Sequence, residues 1–470
     1  MNAFDSVRPT LHDWGSHPVL VEISPSGEAR GTRADELLAQ IRDVSDLLKR
    51  HGIRRGQIVA LFLDNSTDFV RLFFALLRLG AIPAPLNPVY QRMELREILD
   101  NCRPSALIAE SRYRQRIQPH TDASTLLLRS PGRLDCAIQG SADAQSPELE
   151  ASIASINYTY RGYGYPLGAM IPHGQYVHGA AVLQDGLQGR AEERMLLVLP
   201  LSQMFPLVGC LFVPLLFGMT IVILPSIHPR RLFETMVNHR IDYLTAVPEV
   251  LSLLARVKDE DLRLPSLKAF VCGGSALSAE NYDRIRAAFG VDLMHGYGLT
   301  EFAPVSRNIR GSSRPETIGP VCRGIRLRCG AETPRGEALI QTEYMARGYL
   351  NRPRESADVF VDGWFRTGDV LDRCGDHLVF HREIKGTRKV NGSMVDLAEV
   401  RRAVVSFPKV QEADIMLDQG NLRASIEPST PDWCAEDAIE LKRFLRGRIA
   451  EYKIPKRIVP IDTHGHSSKG

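Results

Sequence analysis

The chain reads as an α/β protein. It has a large N-terminal domain of mostly parallel sheets flanked by helices, a β-rich continuation, and a small α+β domain at the C-terminus. Three observations predict this. In the first half, amphipathic helical runs alternate with short continuous apolar runs, the pattern of strand–helix–strand crossovers and so of a parallel sheet. From about Cys322 the chain becomes β-rich, with many turns. Past a junction, HREIKGTRKVNGSMVDLAEVRRAV, helix-like and strand-like runs complete a unit of roughly ninety residues, the size of a small domain.

The elements follow in order. ADELLAQIRDVSDLLKRHGI sets Leu37, Leu38, Ile41, Val44, Leu47 and Leu48 on one helical face, and Gly52 marks its end. QIVALFLDN is a continuous apolar strand, as in a sheet covered on both faces. STDFVRLFFALLRLGAIPAPLNP reads as helix, glycine stop, strand and turn, and MELREILDNCRPSALIA repeats the pattern. The segment from Leu126 to Ser152 is poorer in apolar runs and is expected as surface loops. RMLLVLPLS and YLTAVPEVLSLLARV again read as strand-plus-helix units. LAEVRRAVVSF, EADIMLD, LRASIEP and AIELKRFLRGRIAEYKI supply the C-terminal domain.

Composition bounds the function. With 470 residues, two or more domains are expected, and 44% hydrophobic against 24% charged residues suffices for a large core. A net charge of +3 gives no case for nucleic acid as a partner. The opening MNAFDSVRPTLHDWG carries no basic-then-apolar export signal, and the eight cysteines include no Cys-x-x-Cys pair. A cytoplasmic protein with reduced thiols is the expectation. One uncharged run, Phe205 to Ile227, is long enough to span a membrane. Pro206, Pro214 and Pro225, with Gly209 and Gly218, break it into a short buried helix and a strand near Thr220 to Leu224, so no membrane span is expected.

Several stretches carry a family resemblance. They are GIRRGQIVALFLDNSTDFVRLFFALLRLGAIPAPLNP and its continuation, KAFVCGGSALS, HGYGLTE, MARGYLNRP and GWFRTGDV. In order and spacing they resemble the adenylate-forming superfamily of acyl-CoA synthetases, luciferases and peptide-synthetase adenylation domains, over most of the chain. The resemblance implies an AMP-binding domain over residues 1–381, with a β-barrel-like part, and a mobile lid over residues 382–470. It also implies two half-reactions: a carboxylate attacks the α-phosphate of ATP to give acyl-AMP, then the lid turns and a thiol, usually coenzyme A, displaces AMP.

The same resemblance assigns roles residue by residue. Asp369 in RTGD would accept from the ribose hydroxyls, although TGD alone fits a turn-capping aspartate equally well. Tyr297, between Gly296 and Gly298, would stack on adenine; a core tyrosine in a glycine-flanked turn looks the same. Thr300 would bond the α-phosphate and Glu301 would ligate magnesium, while Thr-Glu also suits a helix start. Gly273, Gly274, Ser275 and Ala276 would let backbone approach adenine and the acyl group, or form a plain tight turn. Gln203, Ala246, Val247 and Gly273 would line the acyl pocket; the family usually carries histidine at the Gln203 position. On the thiol side, Lys389 and Arg388 would meet coenzyme A phosphates and Gly392 would keep the pantetheine tunnel open, against a solvated charged strand. Arg382 would meet the AMP ribose or lie on a surface strand. Gly386, or Lys385 if one residue is inserted, takes the hinge position. Lys469 in HSSKG is the candidate adenylation lysine, or a solvated tail residue.

One stretch departs from the pattern. The family loop reads roughly Thr-Ser-Gly-Thr-Thr-Gly-x-Pro-Lys-Gly and grips the β- and γ-phosphates through backbone N–H groups, small hydroxyls and one lysine. TYRGYGYPLG keeps Thr159, Gly164, Pro166 and Gly168, but has Tyr160, Arg161, Gly162, Tyr163 and Leu167 at the Ser, Gly, paired Thr and Lys positions. Losing three hydrogen bonds to charged groups would weaken triphosphate binding by roughly 5–9 kcal/mol. Tyr158, Tyr160, Tyr163 and Tyr165 suggest a packed plug instead. The expected function is therefore a non-adenylating acyl-CoA ligase. It would convert preformed acyl-AMP and coenzyme A to acyl-CoA and AMP, with magnesium possible and a separate adenylating enzyme as partner. An ordinary ATP-dependent acyl-CoA or acyl-carrier-protein synthetase, with Arg161 and Lys469 substituting, is the alternative. A non-catalytic acyl-nucleotide-binding homologue is the third.

Overall fold

The computed structural model describes residues 2–117, 124–130, 133–135, 149–329, 335–390, 393–430 and 433–461. The apolar runs become central strands because both of their faces are covered. In the strand Ile58–Phe62, Val59 and Leu61 enter one core while Ile58, Ala60 and Phe62 enter another, on the far side of the sheet. That strand lies between the parallel strands Ile82–Pro85 and Ala106–Glu110. A second sheet of eight strands runs, in spatial order, from Ser306–Arg307 through Asp292–Tyr297, Ala269–Cys272, Tyr243–Ala246, Arg194–Leu197, Thr220–Ile223 and Pro18–Ile23 to Ala29–Arg33. Its centre is parallel, and only its two end strands pair antiparallel. The largest core takes side chains from both sheets and from the helices Ala3–Trp14, Ala34–Arg50, Thr67–Leu79 and His173–Leu187.

The run after Phe205 behaves as its prolines and glycines dictate. It forms a broken helix through Leu207–Phe212 and Val213–Phe217, stops at left-handed Gly218, and continues as the strand Thr220–Ile223. Phe212 stacks on Tyr176 at 4.5 Å inside the core. No described helix is long and apolar enough to cross a membrane.

The segment expected as loops is partly strand. Ser124–Ser130 pairs parallel with Ala106–Glu110, and Arg133–Asp135 pairs with it in turn. The run TLLL is short, but a waiting parallel edge needs only a few extended residues. Beyond Cys322 the antiparallel strands Arg326–Cys329, Arg335–Gln341, Trp364–Cys374 and His377–Glu383 form the curled β-rich part. The C-terminal region has its own core. Val395, Val400, Val404, Ile415, Ala424 and Leu441 join the helices Leu397–Val405 and Ala435–Leu445 to the strands Val410–Asp418, Asn421–Pro428 and Arg457–Pro460. The hairpin Thr387–Val390 with Ser393–Asp396 leads into it.

Candidate active site

Parallel strands leave a crevice at their carboxyl ends, where the loops diverge. Here Tyr243–Ala246, Ala269–Cys272 and Asp292–Tyr297 end side by side and open on a cavity of about 610 Å³. Gly273 and Gly274 follow the middle strand. Gly274 has φ +88°, a conformation that glycine takes without strain, and a Cβ on Gly273 would stand in ordinary contact, 3.4 Å from the Gly296 carbonyl oxygen.

The residues expected at the nucleotide end gather in this cavity. Gly273, Gly274, Ser275, Ala276, Gly296, Tyr297, Gly298, Thr300, Glu301, Asp369, Arg382 and Lys389 all line it. Asp369 sits where two strands shift register, and it is buried. The Tyr297 hydroxyl donates to its Oδ2 at 2.7 Å, and Lys385 Nζ lies 3.1 Å from its Oδ1. Burial and the neighbouring carboxylate push the Tyr297 phenol well above its usual range. Lys389 reaches across from the hairpin to donate to the Gly274 carbonyl, and burial holds its ammonium below the usual lysine range. Gly392 and Lys469 lie outside the described residues.

Much of the lining is apolar. Leu183, Leu187, Met195, Phe205, Val208 and Val213 line the same cavity, as does Gln203. Ala246 does not line it. Strand alternation turns Ala246 to the opposite core, so Thr245 is the residue of that strand in the cavity. Val247 backs Gly274 from behind instead of lining the cavity.

The altered loop joins the strands Ile153–Thr159 and Leu167–Pro172, whose last pair is Thr159 with Leu167. Leu167 is wholly buried in the large core. The four tyrosines do not form one plug. Tyr158 and Tyr160 are buried, while Tyr163 and Tyr165 are half-buried at the edge of the large core and donate to Asp358 and Glu355. The loop is instead docked on the C-terminal region. The amides of Gly162 and Gly164 both donate to Asp396 Oδ2, at 2.8 and 3.1 Å. Asp396 Oδ1 meanwhile caps the helix Leu397–Val405. Tyr160 donates to Glu399 at 3.1 Å, and Lys453 donates to the Tyr160 oxygen at 3.1 Å. Lys453 is fully buried between Glu94 at 2.5 Å and Glu399 at 2.6 Å.

Two expected outcomes follow from this docking. A Cβ at Gly162 would lie 2.7 Å from the Gly386 amide, at a φ of +88°. Gly162→Ala should therefore loosen the C-terminal region, read as faster amide hydrogen exchange over residues 386–399. The second concerns pH. Burial pushes the Glu94 carboxyl up from 4.5 to about 7, helped by Glu399 and opposed by Lys453. Tyr90, Tyr160 and Tyr452 complete its charged and titratable surroundings. Undocking returns Glu94 to water, so docking takes up a proton in this window. Docking should strengthen as pH falls from about 7 toward 4.5, and stay level at its weakest above about 7. Fluorescence transfer between labels on the two regions should follow that curve, and Glu94→Gln should flatten it.

A profile described as AMP-binding enzyme matches residues 12–350, most of the chain. The chain belongs to that family. Among curated relatives, the long-chain-fatty-acid–CoA ligase FadD13 of Mycobacterium tuberculosis is 26% identical over 464 residues, covering 93% of this chain and 90% of that one. The feruloyl-CoA synthase of an Amycolatopsis species is 28% identical over 449 residues, covering 90% and 88%. Among solved structures, a double mutant of o-succinylbenzoate CoA synthetase from Bacillus subtilis, bound with a product analogue, superposes with a TM-score of 0.84 at 21% identity, covering 97% and 94%. That likeness supports the fold.

Magnesium is expected at Glu301, and one oxygen of that carboxylate is already engaged. The Glu301 carboxylate is 1% exposed, and its Oε1 accepts from Arg161 at 3.4 Å and from the Tyr349 hydroxyl. No group of three or more His, Cys, Asp or Glu suited to a metal occurs among the described residues. Sequence reasoning missed Glu94, Asp396, Glu399 and Lys453, since nothing local marks a contact between residues three hundred positions apart. It also missed the lining Leu183, Phe205 and Thr245, which read simply as core.

Proposed function

We propose that the protein is an acyl-CoA ligase that joins an apolar carboxylic acid to coenzyme A through an acyl-adenylate. The observation that carries this is the meeting, in one cavity, of Tyr297, Thr300 and Asp369 with the apolar Leu183, Met195, Phe205 and Val208 and with Lys389. Asp369 accepts from the ribose, Tyr297 stacks on adenine, and Thr300 bonds the α-phosphate. The thiol enters past Lys389, and Gly273–Gly274 lets it reach the acyl carbon. Catalysis is mainly positioning, because AMP is already a good leaving group. Residues 1–381 form the AMP-binding domain and residues 382–470 the lid.

The relatives support the ordinary ATP-dependent course, since FadD13 and the feruloyl-CoA synthase are described as a CoA ligase and a CoA synthase and match nearly end to end. ATP and the acid then give the adenylate in the same cavity, with the lid turned away from the loop. A second reading rests on the loop itself: Leu167 buried at the lysine position, and both glycine amides held by Asp396. On that reading the protein takes preformed acyl-AMP from a separate adenylating enzyme, as in the non-adenylating half of the split ligase pair of platensimycin-type diterpenoid biosynthesis. One assay separates the readings. Acid, ATP and coenzyme A should yield thioester and pyrophosphate on the first. Only preformed acyl-AMP with coenzyme A should yield thioester on the second. Neither mixture reacting would leave a binding protein.

A further inference from the structure

Arg161 is buried where a guanidinium needs a reason to be. Its side chain is 5% exposed, its Nη2 donates to the Arg366 carbonyl at 2.7 Å, and its guanidinium lies 4.9 Å over the Phe365 ring. Its Nη1 donates to the wholly buried Glu301 at 3.4 Å. Gly368, the residue before Asp369 in the strand Trp364–Cys374, lies beside it: a Cβ there would stand 3.4 Å from Arg161 Nη2, in ordinary contact. Arg161 lines the same cavity as Thr300, Glu301 and Asp369. The backbone carbonyl, the ring and the carboxylate hold it from three sides, and each terminal nitrogen keeps a second N–H.

We propose that Arg161 is the fixed cation for the α-phosphate of the adenylate, and that by taking up Glu301 it closes that carboxylate to divalent ions. This rests on the cavity being the nucleotide site. A carboxylate beside a phosphate needs a positive charge between them. A guanidinium supplies one permanently, in a planar fork that matches a phosphate edge. A divalent ion on Glu301 would have to sit against that guanidinium, and like charges at such range in a buried site oppose each other strongly.

The test uses AMP and Mn²⁺ as probes on the full-length protein. Calorimetry should give the same AMP affinity in magnesium and in EDTA, within about twofold. Electron paramagnetic resonance should detect no Mn²⁺ whose binding depends on Glu301. Arg161→Gly should bind AMP about tenfold more weakly in EDTA, regain part of that with magnesium, and acquire a Mn²⁺ site that Arg161→Gly/Glu301→Gln lacks. Arg161→Lys, which keeps the charge and the stem, should still need no metal, and this guards against a merely misfolded glycine variant. The proposal is overturned if wild type holds Mn²⁺ that Glu301→Gln releases, or if Arg161→Gly binds AMP as wild type does. If wild type binds no AMP under any of these conditions, the nucleotide-site reading itself falls, and the arginine's role with it.

Discussion

Asp369→Ala should weaken AMP binding by about two to four powers of ten. An ionised carboxylate accepts from two ribose hydroxyls, and each such bond is worth about 1.5–3 kcal/mol. The loss is then about 3–6 kcal/mol, and every 1.4 kcal/mol is roughly tenfold. Oδ2 already accepts from Tyr297 and Oδ1 faces Lys385, yet each oxygen keeps room for another donor. The alanine variant also strands the Lys385 ammonium, whose side chain is 7% exposed, so its melting temperature should fall. Asp369→Asn separates the two effects. It keeps the shape and one acceptor, and should recover much of the stability while AMP binding stays impaired. Calorimetric titration with AMP and a thermal melt decide the matter together.

Lys453→Met should undock the C-terminal region. The ammonium stands between Glu94, from the N-terminal part, and Glu399, which shares its own region. Removing one member of a buried ion cluster costs about 3–5 kcal/mol, because the remaining charges stay behind without a partner. Two carboxylates would then face each other around a methionine. Part of that cost falls on the fold of the region and part on its docking, and a double-mutant cycle with Glu94→Gln isolates the docking share. Hydrogen exchange over residues 386–399 should accelerate, and thioester formation from acyl-AMP should drop about a hundredfold or more. Unchanged protection in the variant would show that the cluster does not hold the C-terminal region.

Local chemistry explains which features the sequence displayed. The continuous apolar runs announced parallel strands, and the prolines and glycines after Phe205 announced a broken helix, because both depend on neighbours within a few residues. The runs Gly296 to Glu301 and Arg366 to Asp369 were legible for a different reason: each is contiguous in the sequence, so the family resemblance could be carried by the run as a whole. What stayed hidden depends on meetings across the chain. Nothing in TYRGYGYPLG says that Gly162 and Gly164 will give their amides to Asp396, or that Tyr160 will face Lys453. The four tyrosines looked like one filling because the sequence does not show that two are only half-buried and bond to Asp358 and Glu355. Ala246 was placed one residue too far because alternation fixes which faces differ, not which face meets the cavity.

The direct measurement supplies the purified protein with preformed acyl-AMPs and coenzyme A, without ATP, and follows products by mass. The acyl series should run from long-chain to hydroxycinnamoyl and arylacetyl groups. Thioester and AMP appearing in equal amounts, at a rate that collapses in Asp369→Ala, is the predicted result. If none of the series is consumed while AMP still binds through Asp369, the cavity holds a nucleotide but passes no acyl group to a thiol, and the ligase account is contradicted.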